Sequence, residues 1–334
     1  MKIKISNKLV GNNNPVFIIA EGGINHNGKL SLAKKIISKA KAAGADAVKF
    51  QTFKAEDLAS PKSKFFKIFK KLELDFEEFG ELADYAKNQN IIFLSTPFSF
   101  DAVNLLIQLK VPAFKIASGD LTNIPLVEYA ASKKKPMIIS TGMANETEIQ
   151  QSINAIRKTG NKKIIIMHSV SAYPTPINEV NLSVIKQLRE KFKQPVGYSD
   201  NGSNLLVPVI AVASGADLIE KHFTINRKLS GPDQKLSTNP SDFKKLAKNI
   251  RLVEKMMGVN IKKCQTSEFG NKFAARRSIT ALTTIERGTK IDKKMLGLQR
   301  PASGLEPKYF SRVIGKRAKR KITKGESIKW NQIQ

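Results

Sequence analysis

The chain has 334 residues, of which 41% are hydrophobic and 25% charged, enough for one large domain and a small one. No window approaches the roughly 20 apolar residues of a membrane span, and no apolar secretion signal follows the first residues, so we expect neither a membrane partner nor export. The single cysteine, Cys264, excludes an intrachain disulfide and a zinc ribbon, and favours a cytoplasmic location.

The formal net charge of +29 at pH 7 has two interpretations. A basic protein attracts nucleic acid, anionic lipid or anionic small molecules. Most lysines, however, fall where amphipathic helices would face water, and the densest basic cluster, 315–321, lacks the interleaved aromatic residues of a single-strand binding surface. We therefore favour a solvated lysine-rich surface that also attracts an anionic substrate, and we expect no nucleic-acid partner.

Short apolar runs typical of buried strands alternate with amphipathic helical stretches along most of the chain. The predicted strands are 16–21, 47–52, 91–97, 113–118, 137–142, 164–169, 196–200 and 218–224. Eight strands, each followed by a helix, within about 250 residues predict a closed parallel (β/α)8 TIM barrel. An open doubly wound sheet is the rival, but the loop after the first strand lacks the GxGxxG pattern.

The sequence changes character after the eighth predicted helix. Residues 261–272 are polar and predict a linker between a barrel over 1–260 and a second domain over 273–334. The second domain contains a short repeat, IERGTKI at 285–291 and ITKGESI at 322–328, typical of two hairpin turns of similar shape. We expect a small β-rich domain that gains stability by docking on another surface.

Polar residues end every predicted barrel strand. Among them are Glu21, Lys49, Gln51, Thr96, Lys115, Ser118, Ser140, Ser199, Glu220 and His222. The carboxyl ends of barrel strands meet at one mouth, where barrel enzymes carry their active sites. Because side chains alternate along a strand, Lys49 and Gln51 share one face, opposite Val48 and Phe50, and we expect the polar pair to point into the barrel.

A lysine inside a barrel is costly to desolvate unless an anion compensates it. Lys49 and Lys115, on separate strands and near several hydroxyls, therefore predict a pocket for a phosphate and a carboxylate. A structural Lys–Glu pair without a ligand remains the alternative for each lysine.

The chain has three histidines, His26, His168 and His222, each at or just beyond a strand end. His222 shares a strand face with Glu220, and a neutral imidazole held by a carboxylate is a good ligand for a divalent metal. We expect the other two to be hydrogen-bonded side chains without a ligand role.

These motifs resemble the sialic acid synthase family, which condenses phosphoenolpyruvate with an N-acylated mannosamine-type sugar. The resemblance runs in order along nearly the whole chain and ends in a segment similar to the antifreeze-like (SAF) domain. The matching motifs are AEGGINHNG, VKFQT, FLSTPFS, FKIASGDLTN, ISTGM, AYPTP, GYSDNG, EKHFT, GPD, RRS and LQRPASGL.

The resemblance implies roles for particular residues. Phosphoenolpyruvate is expected against Lys49, Thr96, Lys115, Ser118, Ser140 and Ser199. A divalent cation, Mn²⁺ or Mg²⁺, is expected near His222, where it would polarise the sugar aldehyde. Glu21 is the implied proton-handling carboxylate, with Asp120 as a second one, and Gln51, Tyr173 and Asp233 are expected to position the sugar.

The resemblance also implies a homodimer in which the C-terminal domain reaches over the barrel mouth of the partner. Arg300 would then contact the partner's sugar, completing an open site and excluding water.

The chain departs from the family pattern at three positions. Asn201 stands where the family usually has a second metal-binding histidine, so we expect weaker binding of a hard cation without loss of the mechanism. Asp120 stands where Glu is frequent. Ser171 stands where sialic acid formers often carry Asn, which leaves open a 6-deoxy diacetamido sugar leading to a legionaminic- or pseudaminic-type product.

Three other functions compete with this one. A 3-deoxy-octulosonate or heptulosonate phosphate synthase would share the barrel but lack the appended domain. A nucleic-acid-binding protein would use the +29 charge but would not need lysines or Glu21 at strand ends. A barrel that has lost its metal, with Asn201 as the trace, would act only as a binding scaffold.

Overall fold

Eight parallel strands form a closed barrel in the first of two units, Met1–Gly258 and Val259–Gln334, into which the chain folds. The structure is a computed structural model and describes residues 1–11 and 14–334. The predicted (β/α)8 barrel followed by a small second domain is confirmed. None of the helices in these described ranges is long and apolar enough to cross a membrane.

The first unit begins with an antiparallel hairpin and continues as the barrel. Its strands are β1 (Ile3–Ile5), β2 (Lys8–Val10), β3 (Phe17–Gly23), β4 (Ala47–Thr52), β5 (Ile92–Pro97), β6 (Phe114–Ile116), β7 (Met137–Ser140), β8 (Ile164–Ser169), β9 (Val196–Asp200) and β10 (Leu218–His222). The barrel runs from β3 to β10 in chain order, and β10 pairs back with β3.

Helices follow the barrel strands and cover their outer faces. They are α1 (Leu30–Ala42), α2 (Ala55–Leu58), α3 (Phe66–Leu72), α4 (Phe76–Asn88), α5 (Phe100–Gln108), α6 (Ile124–Ser132), α7 (Glu146–Lys158), α8 (Val184–Phe192), α9 (Leu206–Ala213) and α10 (Pro240–Met257). Local signals fix several starts: Ser99 caps α5, Asn145 caps α7 and Asn239 caps α10, each accepting a backbone N–H from its helix.

The inward face of the strands changes from apolar at the amino end to polar at the carboxyl end. In β3, Phe17 and Ile19 belong to an inner apolar cluster, and the next inward residue is Glu21. The hairpin β1–β2 inserts Ile3 and Ile5 into the same inner cluster. The hairpin thus packs against the amino end of the barrel interior, and the polar residues lie at the other end.

The outward face of the strands forms the main core with the helices. Val48 and Phe50 of β4 pack in this outer cluster with Ile36 of α1 and Phe79 of α4. The alternation expected for Val48 and Lys49 is therefore observed. Val48 faces the helices, while Lys49, on the opposite face of the same apolar strand, points into the barrel.

The second unit has its own small core and its own short elements. These are α11 (Phe269–Ala275), β11 (Ser278–Ala281), β12 (Leu296–Gln299) and α12 (Phe310–Val313). The segment predicted as a linker, 261–272, contains a 3₁₀ turn at Thr266–Glu268 and the beginning of α11.

The two copies of the short repeat pair with each other in this second unit. Ile285 and Ile322, the first residues of the copies, form an antiparallel bridge and are buried. The glycines at equivalent positions, Gly288 and Gly325, have φ values of 83° and 85°. The predicted similarity of the two turns therefore extends to their backbone conformation.

Candidate active site

A cavity of about 670 Å³ opens at the carboxyl ends of the barrel strands. Its wall contains all of the sequence-predicted site residues except Asp120 and Arg300. The predicted residues in the wall are Glu21, Lys49, Gln51, Thr96, Lys115, Ser118, Ser140, Tyr173, Ser199, Asn201, His222 and Asp233. Residues far apart in the chain thus meet around one hollow, as expected for a barrel mouth.

An irregularity in β3 shapes the first part of the wall. Glu21 pairs with Lys49 of β4, but the register shifts so that Gly23 pairs with Phe50. A Cβ atom on Gly22 would lie 2.8 Å from the Phe50 ring, and Gly23 has a positive φ of 48°. Both positions therefore favour glycine, which explains why the strand ends in Glu-Gly-Gly and leaves Glu21 as a buried carboxylate.

Two ammonium groups and two carboxylates form a network in the cavity wall. Lys49 Nζ lies 2.5 Å from Glu21 Oε2 and 3.8 Å from Glu220 Oε2. Lys115 Nζ lies 2.7 Å from Glu220 Oε1. All four side chains are buried, and their formal charges cancel. The network therefore satisfies the requirement that a buried ion be paired, with Glu220 as the residue shared by both lysines.

The buried network separates the proton affinities of its two carboxylates. Burial raises the pKa of Glu21 to about 7, and the opposing effect of Lys49 does not cancel it. Burial also acts to raise the pKa of Glu220, but Lys115 and Lys49 outweigh it and hold that pKa at about 2. Glu220 is thus a permanent anion, whereas Glu21 exchanges a proton near neutral pH and can serve as a general acid or base.

The pKa values of the two lysines are shifted in opposite directions. Burial disfavours the charged form of Lys49, but Glu21 and Glu220 overcome it, so the pKa of Lys49 is raised. Burial dominates at Lys115 and lowers its pKa, with Glu220 opposing. Lys115 therefore gains more than Lys49 from any additional anion in the cavity.

Hydroxyl groups complete the wall beside the lysines. Lys49 Nζ donates to Thr96 Oγ1 at 3.0 Å, and Ser199 Oγ donates to Glu220 Oε1 at 3.1 Å. Ser140 Oγ is buried and has no hydrogen-bond partner within the described parts of the chain. A buried hydroxyl without a partner is costly, so Ser140 is available to a ligand in the cavity.

His222 is the imidazole of the cavity. Its Nδ1 lies 3.8 Å from Asp233 Oδ2, and the Tyr173 ring stands edge-on to it with the ring centroids 5.9 Å apart. This Nδ1 is buried and forms no hydrogen bond to any described residue. Burial lowers the pKa of His222, so the ring is kept neutral, which is the form that binds metals.

Protein groups that could hold a cation at this point are few. Among the residues that the structure describes, no cluster of three or more His, Cys, Asp or Glu side chains has the arrangement of a metal site. Asn201, the predicted second ligand, donates its side-chain N–H to the carbonyl of Val170 at 2.8 Å. A cation could be held by His222 and Asp233, with substrate and water supplying the remaining ligands, a pattern typical of Mg²⁺.

Asp120 and Arg300 are the two predicted site residues that are not part of the cavity wall. Asp120 belongs to a 3₁₀ turn after β6, is half-buried, and accepts a hydrogen bond from Asn123 at 3.0 Å. Arg300 is exposed in the second unit. The roles expected for these two residues therefore draw no support from the cavity itself.

The structure adds a buried ion pair that the sequence did not suggest. Lys221 faces away from the cavity, and its Nζ lies 2.7 Å from Asp200 Oδ2. The same ammonium donates to the carbonyl of Gly202, and Asp200 Oδ1 accepts the Gly202 N–H at 2.9 Å. The pair therefore holds the loop that contains Asn201. Glu220, by contrast, is expected from the sequence to point into the barrel, since it shares its strand face with His222.

The other two histidines lie outside the cavity wall, and the buried Nε2 of His26 has no hydrogen-bond partner among the described residues. His168 Nε2 forms a 2.8 Å hydrogen bond with the carbonyl of Val180. His26 is buried beside Phe50, and its Nδ1 accepts the N–H of Gly28 at 3.2 Å.

Comparison with known families gives two matches that divide the chain as the structure does. A model of the NeuB family matches residues 36–262, and a model of the SAF domain matches residues 276–334. Together they account for the barrel and for the small β-rich unit.

Individual relatives are similar over nearly their whole length. An N,N'-diacetyllegionaminic acid synthase of Campylobacter jejuni is 42% identical, covering 93% of this chain and 98% of the relative. A pseudaminic acid synthase of the same species is 33% identical, covering 96% and 97%. A crystal structure of an N-acetylneuraminic acid (sialic acid) synthetase of Leptospira borgpetersenii in complex with citrate is 38% identical, with a TM-score of 0.78 over 81% of this chain and 95% of that one.

Proposed function

Because this chain belongs to the NeuB family of nonulosonic acid synthases, we propose that it condenses phosphoenolpyruvate with an N-acylated mannosamine-type aldose and water. It would thus be a carbon–carbon bond-forming transferase that releases phosphate. The observation that carries this proposal is the pair of buried lysines, Lys49 and Lys115, in the wall of a cavity that also holds His222 and unpaired Ser140.

The proposed reaction consists of the following bond-forming and bond-breaking steps. C3 of the enol forms a bond to the aldehyde carbon of the open-chain sugar, whose oxygen takes up a proton and becomes a hydroxyl. Water adds at C2, and the bond between C2 and the phosphate oxygen breaks. Phosphate leaves, and the proton released by water is accepted by a base. The product is a 2-keto acid longer than the sugar by three carbons.

The cavity offers groups for each requirement of this reaction. Lys49, Lys115 and the hydroxyls of Thr96, Ser118, Ser140 and Ser199 would bind the phosphate and the carboxylate of phosphoenolpyruvate. Since the four buried charges already cancel, the incoming anion must replace contacts that Glu21 and Glu220 now make with the lysines. Glu21 is the carboxylate with a pKa near neutrality, so we assign to it the proton transfers.

A divalent cation, Mn²⁺ or Mg²⁺, forms part of the proposal. His222 and Asp233 would hold it, and when bound it would polarise the aldehyde as a Lewis acid. The unpartnered His222 Nδ1 supports this assignment. A site with so few protein ligands predicts weak affinity in the absence of substrate, in line with the weaker binding expected from Asn201.

Within the family, we favour a 6-deoxy diacetamido aldose as the sugar. The support is the higher identity to the legionaminic acid synthase, 42%, than to the N-acetylneuraminic acid synthetase of Leptospira borgpetersenii, 38%. N-acetylmannosamine, the sugar of a sialic acid former, is the second candidate. Gln51, Tyr173 and Asp233, in the cavity wall, would position either sugar.

We also propose that the enzyme acts in the cytoplasm, where phosphoenolpyruvate is made, as a homodimer. In this dimer Arg300 of one subunit would contact the sugar in the barrel of the other. Its exposure in the second unit is compatible with such a role.

The test is to incubate the protein with phosphoenolpyruvate, Mn²⁺ and a panel of mannosamine-type aldoses. We expect release of phosphate and a product with the mass of aldose plus pyruvate, and neither with the Lys115→Met variant. Absence of phosphate release with every aldose would contradict the proposal and would favour a scaffold without catalysis. The same reaction with 6-deoxy diacetamido sugars and with N-acetylmannosamine separates the two sugar candidates.

A further inference from the structure

The cavity has one wall that differs from the rest. The charged network and the hydroxyls occupy the strand ends, but the wall also contains large apolar side chains: Ile24, Phe65, Ile68, Phe69, Met143 and Pro232. Three of these belong to a single segment, α3 and the residue before it. The chemistry of phosphoenolpyruvate, which is small and anionic, gives no use for this wall.

The segment is anchored in a way that leaves two of its side chains free. Phe69 packs edge-on against Phe53, with ring centroids 5.9 Å apart, in a small cluster that contains Leu72. Phe65 and Ile68, by contrast, remain 50% and 46% exposed although they line the cavity. They do not belong to that cluster or to the main core. Large apolar side chains that line a hollow without being buried mark a surface that a ligand covers.

The charged groups of the cavity limit which chemical groups of a ligand can lie against the apolar side chains. Lys49 and Lys115 are the basic residues of the cavity wall, and both are buried in the network with Glu21 and Glu220. The apolar wall itself contributes no cationic group that could pair with a phosphorylated sugar. A group placed against it must therefore be uncharged and apolar, such as a methyl on the sugar ring or the methyl of an acyl group.

We infer that Phe65 and Ile68 determine the specificity for the sugar by packing against its apolar substituents, the C6 methyl and an acetamido methyl. The inference rests on the proposed function and deepens it. A 6-deoxy diacetamido aldose has two such groups more than a hexose with a hydroxymethyl and a free hydroxyl at the corresponding carbons. A hydroxymethyl at the same place would leave its oxygen against the apolar wall.

The test compares two sugars in matched variants. We expect Ile68→Ala to lower kcat/KM for the 6-deoxy diacetamido aldose by about 10-fold or more, the usual effect of removing methylene contacts from an apolar pocket. For N-acetylmannosamine the decrease should be less than about 2-fold, and KM for phosphoenolpyruvate should not change. Ile68→Leu should restore most of the loss, and Phe65→Ala should act in the same direction as Ile68→Ala.

Ile177→Ala is the control. Ile177 is 67% exposed and is not part of the cavity wall, so the same truncation there should leave both sugars unaffected. Because Ile68 is half exposed, we expect the variant to fold, and its melting temperature verifies this. If N-acetylmannosamine proves not to be a substrate, the loss with Ile68→Ala and the recovery with Ile68→Leu still decide the question.

Other outcomes distinguish a failure of this inference from a failure of the proposed synthase activity. Equal losses for both sugars would show that this wall does not discriminate between them, and a change in subunit association with Ile68→Ala would show that it is a subunit contact. Either result would overturn the inference alone. A wild-type preference for N-acetylmannosamine would also overturn it, while leaving the synthase assignment in place. If the wild type turned over no aldose, both this inference and the synthase assignment would be contradicted.

Discussion

Lys115 Nζ lies 2.7 Å from Glu220 Oε1, although the two residues are on strands that are not neighbours in the barrel and are 105 positions apart in the chain. Both side chains are almost fully buried. The pair spans the barrel interior, so it links the buried charges of the cavity wall to the stability of the barrel. Removing one partner leaves a buried ion that has lost its nearest counter-ion, which costs more than removing both.

We therefore expect Lys115→Met to lower the free energy of unfolding by about 3 kcal/mol. The double variant Lys115→Met/Glu220→Gln should recover at least half of this loss while remaining inactive. Urea unfolding of the wild type, both single variants and the double variant measures the coupling between the two positions. Purely additive effects would show that Lys115 and Glu220 do not interact in solution.

The Lys221–Asp200 pair should contribute to stability in a similar way, outside the cavity. Lys221→Met leaves Asp200 buried without its cation and should cost about 3–5 kcal/mol. Lys228→Met, at an exposed lysine nearby, serves as the matched control and should change stability by less than about 0.5 kcal/mol. Equal melting temperatures for the two variants would contradict a stabilising role for the pair.

His26 should make the barrel sensitive to acid. Burial lowers its pKa from 6.5 to about 4, so on acidification the unfolded chain takes up the proton first. The stabilisation is therefore complete above pH 6.5 and is lost as the pH falls through 4. Between about pH 7.5 and about pH 4.5, the wild type should lose roughly 2–3 kcal/mol more than His26→Gln.

Comparing wild type with His26→Gln isolates this effect from the carboxylates. Glu21, with its raised pKa, changes stability in the opposite direction, because its contribution is lost as the pH rises towards 7. Glu220 acts only below pH 4.5, where its stabilisation is lost on further acidification. Both are present in wild type and variant. Parallel pH profiles for the two proteins would mean that His26 does not titrate with a lowered pKa.

The paired turns of the second unit give a test of backbone conformation. Gly288 and Gly325 have positive φ values, and a Cβ atom at either would meet no other atom within 4 Å. Gly288→Ala and Gly325→Ala should therefore each destabilise this unit by about 1 kcal/mol through backbone strain alone. Gly270→Ala, in α11 and equally free of contacts, should be neutral or stabilising. The single tryptophan, Trp330, lies in this unit, so its fluorescence can follow the unfolding.

The proposed exchange of Arg300 between subunits can be tested by mixing inactive proteins. Lys115→Met disables the barrel, and Arg300→Ala should disable the cap. If the cap acts on the partner, a mixed dimer contains one intact site, and random mixing should restore roughly a quarter of the wild-type activity. A mixture as inactive as its components would place Arg300 in the site of its own subunit or outside any site.

The barrel and most of its cavity follow from the sequence because strand alternation and strand ends are local patterns. Lys49, Gln51 and His222 could be assigned to the interior from their neighbours alone. The contact between Lys115 and Glu220 could not, because strand patterns do not specify which side chains meet across the barrel. Likewise, Lys221 lies on a face predicted to be apolar, and only the structure shows Asp200 compensating it.

The N-terminal hairpin could not be predicted from the sequence either. Its strands have three residues each, too short for a period to be recognised, and Ile3 and Ile5 acquire their role only by inserting into the barrel. The position of Phe65 and Ile68 in the cavity wall could not be predicted from the sequence, because their spacing is that of an ordinary helix face.

The packing of the N-terminal hairpin inside the barrel has a consequence for how ligands reach the cavity. Because Ile3 and Ile5 belong to the apolar cluster inside the amino end of the barrel, that end is filled by side chains, and the cavity opens at the carboxyl end. A ligand that bound deepest, beside Lys49 and Lys115, would then have to enter before one that bound nearer the opening.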